Sequence, residues 1–360
     1  MPDTLPSSVR AEEAHAAAVA PRPNDDPARR VAAAVRSLVL PVVVAVAVGA
    51  IFISVYLSAF HAPVARDLPV AVVGSAAQAA GVQDRLPERP SDTFSVRAVE
   101  DAQAARSAVQ HGEVFAAYIP EGGAVTLLYA GAHGPSVTAL LLDELGEVAH
   151  EGGQSVEAVD ILPASPQDTR GLAVFYTTFG LVLAGYLFGI MTYQLAPGVS
   201  MARRLVGLAA FGVAGGLAVA SVVSAFGALP APFFGVAGLV ALVALAVSAS
   251  TMFLVRALGV MGSSAAAVVF MTVGNATSGG SLPAEFLPSW LEPFSSVLPV
   301  GVGVRAVNGL AYFHGEGVLS GVTVLTAWIA AGVGGLLLLE RARGRARRST
   351  LVQGAGGKRP

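Results

Sequence analysis

The chain has 360 residues, 54% of them hydrophobic and only 13% charged, with a mean hydropathy of +0.65. Soluble domains carry about a quarter charged residues, so this composition excludes an ordinary cytoplasmic enzyme and describes a membrane protein. The absence of cysteine removes disulfides, thiol nucleophiles, Cys-bound zinc and iron–sulfur clusters together. The 22 basic residues comprise one lysine, Lys358, and 21 arginines, a balance that reads as high-GC coding in a bacterial source.

In chain order, residues 1–26 carry four prolines and scattered charges and read as a disordered cytoplasmic leader. Residues 27–36 are expected to form a short amphipathic elbow on the inner surface, completing an N-terminal segment 1–36. A span needs about 20 apolar residues to cross a hydrocarbon core of about 30 Å. The run 38–60 meets this without a charge. It is too long for a signal-peptide core, and Ser58-Ala59-Phe60-His61-Ala62 is a poor cleavage site. We therefore read 37–60 as the first transmembrane helix.

Residues 61–170 change to the composition of a water-soluble domain, with 15 acidic residues against six arginines and a net charge of −9. Such a surface repels nucleic acid and anionic lipid. A strand is expected at 69–73, then a helix capped by Ser75 and running to Leu86. Residues 87–91 are a breaker. A strand at 94–99, a helix at 100–110, strands at 114–119 and 124–129 around Pro120-Glu121-Gly122-Gly123, and a helix at 136–149 complete a small α/β domain. Residues 152–170, with Pro163 and Pro166, read as the linker back to the membrane.

Four further uncharged runs, 172–195, 205–229, 233–255 and 318–339, read as spans, and the shorter Gly/Ser-rich run 257–275 as another. The fold class expected is an α-helical polytopic membrane protein: six transmembrane helices, with the small extracytoplasmic α/β domain inserted between helices one and two. A five-helix domain fills 171–340 and a basic cytoplasmic tail 341–360. Lys and Arg are retained on the cytoplasmic side. Arg29, Arg30 and Arg36, then Arg203 and Arg204, then Arg256, then Arg341, Arg343, Arg345, Arg347 and Arg348 all fall in alternate gaps. Both termini are therefore expected inside a bacterial plasma membrane, with 61–171 outside.

Chemistry is sparse. Gly354-Ala355-Gly356-Gly357-Lys358-Arg359 lacks the first glycine and the hydroxyl residue of a phosphate-binding loop, so a separate subunit would have to supply any ATP-driven work. Ionisable groups inside a membrane are kept mainly for function, and the six runs contain none. Glu285, Glu292 and Arg305 lie outside them and read as interfacial charges, which weakens a proton-coupled antiporter. His61, His111, His133, His150 and His314 share no helical face, and no His-Glu-x-x-His or Gly-x-Ser-x-Gly pattern occurs. We expect no enzyme, no cofactor and no metal. Gly185 with Gly189, Gly212 with Gly216, and Gly317 with Gly321 stand at helix-packing spacing; packing inside the bundle is favoured over a dimer face.

The most distinctive stretch begins at Gly274-Asn275-Ala276-Thr277-Ser278-Gly279-Gly280-Ser281-Leu282-Pro283 and continues through Pro288, Pro293 and Pro299. Irregular backbone at membrane depth is tolerated against protein or along a cavity, and Trp290 with Phe294 suits the headgroup level. The outward amphipathic segment 276–313 is thus an outer gate, with Pro288, Trp290, Phe294, Pro299 and Arg305 as its candidates, or equally a structural lid.

At this stretch, and at Leu68-Pro69-Val70-Ala71-Val72-Val73-Gly74, Ala108-Val109-Gln110-His111-Gly112-Glu113-Val114-Phe115 and Leu298-Pro299-Val300-Gly301, the chain resembles the YhgE/Pip membrane proteins. These are themselves similar to ABC-2-type permeases of ATP-binding-cassette exporters. The resemblance covers residues 37–339. It implies a permease-like subunit, dimeric as a homodimer, that exports hydrophobic compounds or cell-envelope components with a separate ATP-binding-cassette ATPase, and has the lipid bilayer but no nucleic acid as partner. Arg203 and Arg204 are then the motor-contact candidates. One departure is the short connection 196–204, which lacks the carboxylate of an exporter coupling helix. The alternative is a non-transporting scaffold or receptor for phage infection or secretion, acting through its outward domain.

Overall fold

The computed structural model describes residues 27–86 and 93–356, with side chains described from 39 to 345 outside that gap. The expected leader at 1–26 and breaker at 87–91 lie outside the described residues. The expected elbow at 27–36 is the start of one continuous helix, α1 (Pro27–Phe60). Within residues 51–60 of α1, Val55 and Ala59 are buried, while Ile51, Phe52, Ile53 and Leu57 face outward.

The α/β lobe follows as β1 (Leu68–Val73), α2 (Ala76–Gln83), β2 (Phe94–Val99), α3 (Ala102–Gln110), β3 (Ala116–Glu121), β4 (Ala124–Tyr129), α4 (Pro135–Glu151) and β5 (Ser155–Asp160). The five strands form one sheet in the order β2-β1-β3-β4-β5. Both neighbours of β1 are parallel to it, with Leu68 opposite Phe94 and Val70 opposite Ala116. β3 and β4 form an antiparallel hairpin closed by Gly122 at φ +64°, a conformation glycine adopts without a Cβ penalty. β4 and β5 are parallel again. Successive strand residues point to opposite faces. Val70, Val72, Val125 and Leu127 therefore meet Ala79 and Val82 of α2 and Leu141, Leu145 and Val148 of α4, whereas Ala71, Ala117 and Leu128 meet Ala105, Ala108 and Val109 of α3.

Local chemistry fixes the helix starts. Ser75 and Gln78 form a reciprocal capping box on α2, and the Asp101 carboxylate accepts the Ala104 amide of α3 at 2.7 Å, each satisfying amides that have no intrahelical partner. β5 corrects the sequence reading, which places a linker there. It is an edge strand whose side chains are exposed or half-buried, so it lacks the apolar alternation of a covered strand.

Among the described residues, five helices are long and apolar enough to cross a membrane: α1 over Val39–Phe60, α5 (Ala173–Gln194), α6 (Met201–Ala225), α7 (Phe233–Leu258) and α11 (Val318–Gly356) over Val318–Arg345. The remaining apolar helix, α8 (Val260–Ala276), is shorter. At about 1.5 Å per residue it reaches about 25 Å, and Ala267–Val273 within it winds as a π-helix. The turn from α7 into α8 takes one residue, Gly259, at φ +63°.

α7 is the axis of the bundle, with Val240, Val243, Ala244, Val247, Ala249 and Met252 buried around its circumference. Its neighbours approach through glycine. A Cβ on Gly185 would stand 2.9 Å from the Ala244 carbonyl, one on Gly189 2.7 Å from Thr251, and one on Gly216 would overlap the Ala237 carbonyl. Gly212 abuts Leu245 of the same helix, and Gly321 abuts Ala306. The three small-residue pairs thus pack within one chain. Two short helices, α9 (Glu292–Val297) and α10 (Pro299–Ala311), precede α11.

Candidate functional site

Two aromatic pegs join the lobe to the bundle. After α8 the chain turns at Gly279 (φ +74°) and a single turn at Ala284–Phe286 inserts Phe286 into the lobe core beside Leu68, Val72 and Leu145. The backbone there is held by Arg66, whose amide donates to the Glu285 carbonyl at 2.9 Å and whose guanidinium donates to the Leu287 carbonyl at 2.9 Å. Leu287 and Leu291 then pack on Val55 and Ala59 of α1. On the other side Phe313, just past α10, joins Ala71, Ala108 and Val109, and Tyr312 accepts the Ser165 amide at 3.2 Å.

Between the pegs lies a cavity of about 500 Å³. The lobe contributes His111, Phe115 and His133, the irregular segment contributes Ser278, Gly280 and Glu285, and α10, the turn after it and the start of α11 contribute Arg305, Asn308, Glu316 and Ser320. Four carboxylates, Glu113, Asp168, Glu285 and Glu316, face one guanidinium, Arg305. Two of these are committed. Glu113 accepts from Arg97 at 2.8 Å, and Asp168 closes the start of α5 by accepting the Leu172 and Ala173 amides at 2.9 Å each.

Burial pushes the Glu285 carboxyl above its ordinary range, with the facing Arg305 charge opposing that rise. His133 lies between the rings of Phe115, at 4.3 Å between centroids, and Phe313, at 4.8 Å, tilted to both. Its Nε2 is sealed and has no hydrogen-bond partner, though part of the residue remains accessible. Desolvation lowers its pKa to about 4, so this imidazole is neutral at physiological pH.

The gate candidates separate. Arg305 lines the cavity while donating to the Ser295 carbonyl at 2.9 Å. Trp290 and Phe294 are 55% and 41% exposed and are not part of its lining. Pro288 is half-buried in the turn that leads to α9, and Pro299 is buried at the first position of α10. Histidines that sequence spacing scatters are brought closer, with the His111 and His314 rings 5.4 Å apart. Among the described residues no group of three or more His, Asp or Glu could hold a metal. His133, Asn308, Glu316 and Ser320 escape sequence reasoning because they come from four separate elements. The one local signal is Gly309, where a Cβ would overlap the Glu316 carbonyl.

At the opposite end of α5, Arg204 is 4% exposed. It donates to the carbonyls of Thr192, Ala196 (2.6 Å), Pro197 (3.1 Å) and Val199 (3.1 Å), and its guanidinium lies 4.2 Å above the Tyr193 ring. The carbonyls that end α5 have no intrahelical partner, and Arg204 supplies one. This corrects its candidacy as a motor contact, since its donors are consumed inside the fold. Arg203 remains exposed. Neither a family model nor a curated protein matches the sequence.

Proposed function

We propose that this chain is a multi-pass protein of a bacterial plasma membrane. It crosses six times, with α8 as the short sixth span, both termini in the cytoplasm and the acidic lobe outside. In this reading it is a permease-like export subunit of the ABC-2 type for hydrophobic compounds or cell-envelope components, and cargo passes the cavity between lobe and bundle on its way out. The observation that carries the reading is that cavity, about 500 Å³ and walled jointly by the lobe, the 276–313 segment and the start of α11. The distribution of arginine at the far ends of α5, α7 and α11 supports the orientation. The excess of carboxylates in the lining disfavours an anionic cargo.

A separate ATP-binding-cassette ATPase would supply the energy, with exposed Arg203 as the contact candidate. One observation favours the alternative of a non-transporting scaffold or receptor. The connection between α5 and α6 is only 195–200, and the Arg204 guanidinium is spent within it.

The cysteine-free chain makes the test direct. Ser320→Cys and Glu316→Cys should react with a membrane-impermeant maleimide in intact cells, and Arg203→Cys only after lysis. Export substrates retained by a deletion strain should be released on complementation and retained again when the Ser320→Cys cavity is blocked. Labelling of Arg203→Cys in intact cells overturns the orientation. Unimpaired release with the cavity blocked overturns the export path.

A further inference from the structure

The end of the bundle away from the lobe holds a second cavity, of about 740 Å³, lined by Tyr193, Gln194, Ser200, Arg204, Arg256, Ser263, Glu340 and Arg343 among others. Three guanidiniums face one carboxylate there. Arg204 gives four of its five guanidinium N–H donors to backbone carbonyls. The Thr192 carbonyl near the end of α5 and the Ala196, Pro197 and Val199 carbonyls after it, which would otherwise repel an anion, are covered by this guanidinium. Among the described residues, Arg256 bonds only through its Nε, to Glu340 at 2.6 Å, and Arg343 through one Nη, to the Arg256 carbonyl at 3.1 Å. Both keep guanidinium N–H groups free for a ligand. The Tyr193 hydroxyl is buried with no hydrogen-bond partner, which is costly unless something completes it. The start of α6 lines the same cavity, and the Ser200 side chain does not cap it, so its first amides also remain available.

The depth of this cavity identifies the class of ligand. α5 ends at Gln194, the apolar stretch of α7 ends at Val255, just before Arg256, and that of α11 at Leu339, just before Glu340. The free donors therefore sit where hydrocarbon gives way to headgroups. Planar guanidiniums bind phosphate oxygens through paired charge-assisted hydrogen bonds, and basic recesses between membrane helices suit anionic headgroups.

We propose that this cavity binds a phosphate group that carries net negative charge, through Arg256, Arg343 and the Tyr193 hydroxyl. The site is separate from the outer cavity and does not depend on export. The 360-residue chain in detergent is titrated with phosphatidylglycerol, with zwitterionic phosphatidylcholine, and with inorganic phosphate, and binding is read by native mass spectrometry and by thermal shift. Phosphatidylglycerol is expected to bind at least tenfold more tightly than phosphatidylcholine if the source is lipid, and inorganic phosphate to raise the melting temperature if it is soluble. Arg343→Gln should weaken whichever binds about tenfold and the pair Arg256→Gln with Arg343→Gln further, with Arg343→Gln melting as the parent does without ligand. Glu340→Gln, which releases Arg256, should tighten it. Equal binding of both lipids with no response to phosphate overturns the proposal, as does a preference that Arg343→Gln and Glu340→Gln leave unchanged.

Discussion

The lobe and the helical bundle are held together by opposite means. In the lobe, branched side chains fill the space between sheet and helices, with Leu68, Leu127, Leu141 and Leu145 almost fully buried. In the bundle, cohesion around α7 comes from side chains that are missing, at Gly185, Gly189, Gly212 and Gly216. Water drives the first kind of packing, because burying apolar surface is favourable there. Lipid tails are as apolar as leucine, so helices in a bilayer gain chiefly from close backbone approach. Removing atoms should therefore damage the lobe, and adding atoms should damage the bundle.

The largest effect expected is from Gly216→Leu, which drives a side chain into the Ala237 carbonyl. Overpacking costs about 1–3 kcal/mol and occasionally more. A backbone atom cannot swing aside as a rotamer can, so the cost should exceed about 3 kcal/mol. Detergent-extracted protein should lose its monodisperse peak on size-exclusion chromatography, whereas Gly180→Leu, with open space around it, should keep it. Equal behaviour of the two variants would break the comparison.

Leu145→Ala removes a side chain that is 0% exposed from the lobe core and should cost about 3 kcal/mol, within the 2–5 kcal/mol typical of such truncations. Limited proteolysis should show faster cleavage inside residues 61–170 with the bundle fragment intact.

His133 sharpens the boundary between the regions, since it sits between Phe115 of the lobe and Phe313 of the bundle. Its folded pKa is about 4 against an ordinary 6.5, so below pH 6.5 the unfolded chain takes up a proton that the folded chain refuses. Stability should be unaffected by this group above that value and fall as the pH drops toward 4, by about 2 kcal/mol at pH 5. In His133→Phe the decline of the melting temperature between pH 7 and pH 5 should be shallower than in the parent. Parallel curves would show that the ring is solvated.

The smallest effect expected is that of Ser75→Ala, which loses the capping box of α2 and should cost about 1 kcal/mol. Hydrogen exchange should quicken in Ala76–Gln83 and stay unchanged in α4.

Elements whose signal is local were legible in the sequence. The Ser75 cap, the β4 hairpin strand and the long uncharged runs each depend on neighbours a few residues away. β5 was not legible, because an edge strand with Glu157 and Asp160 in it has no apolar face to announce. Of the gate candidates, the cavity includes Arg305 and leaves Trp290 and Phe294 outside, because the sequence shows amphipathic spacing but not which way the segment turns at Gly279. Arg204 reads as a cytoplasmic surface charge until its four carbonyl partners are seen.

The sequence by itself determined that the protein has a hydrophobic helical body and an acidic α/β insertion, because helical and strand periodicity, charge and hydropathy are properties of short windows. Only the tertiary structure decided that Phe286 and Phe313 pin the insertion to the body, that a carboxylate-rich cavity lies between them, and that Arg204 turns inward while Arg256 and Arg343 keep donors free. The pegs and the cavity depend on residues more than a hundred positions apart meeting at close range, and the arginine outcomes on which way each guanidinium turns once the helices are packed, neither of which leaves a trace in local pattern.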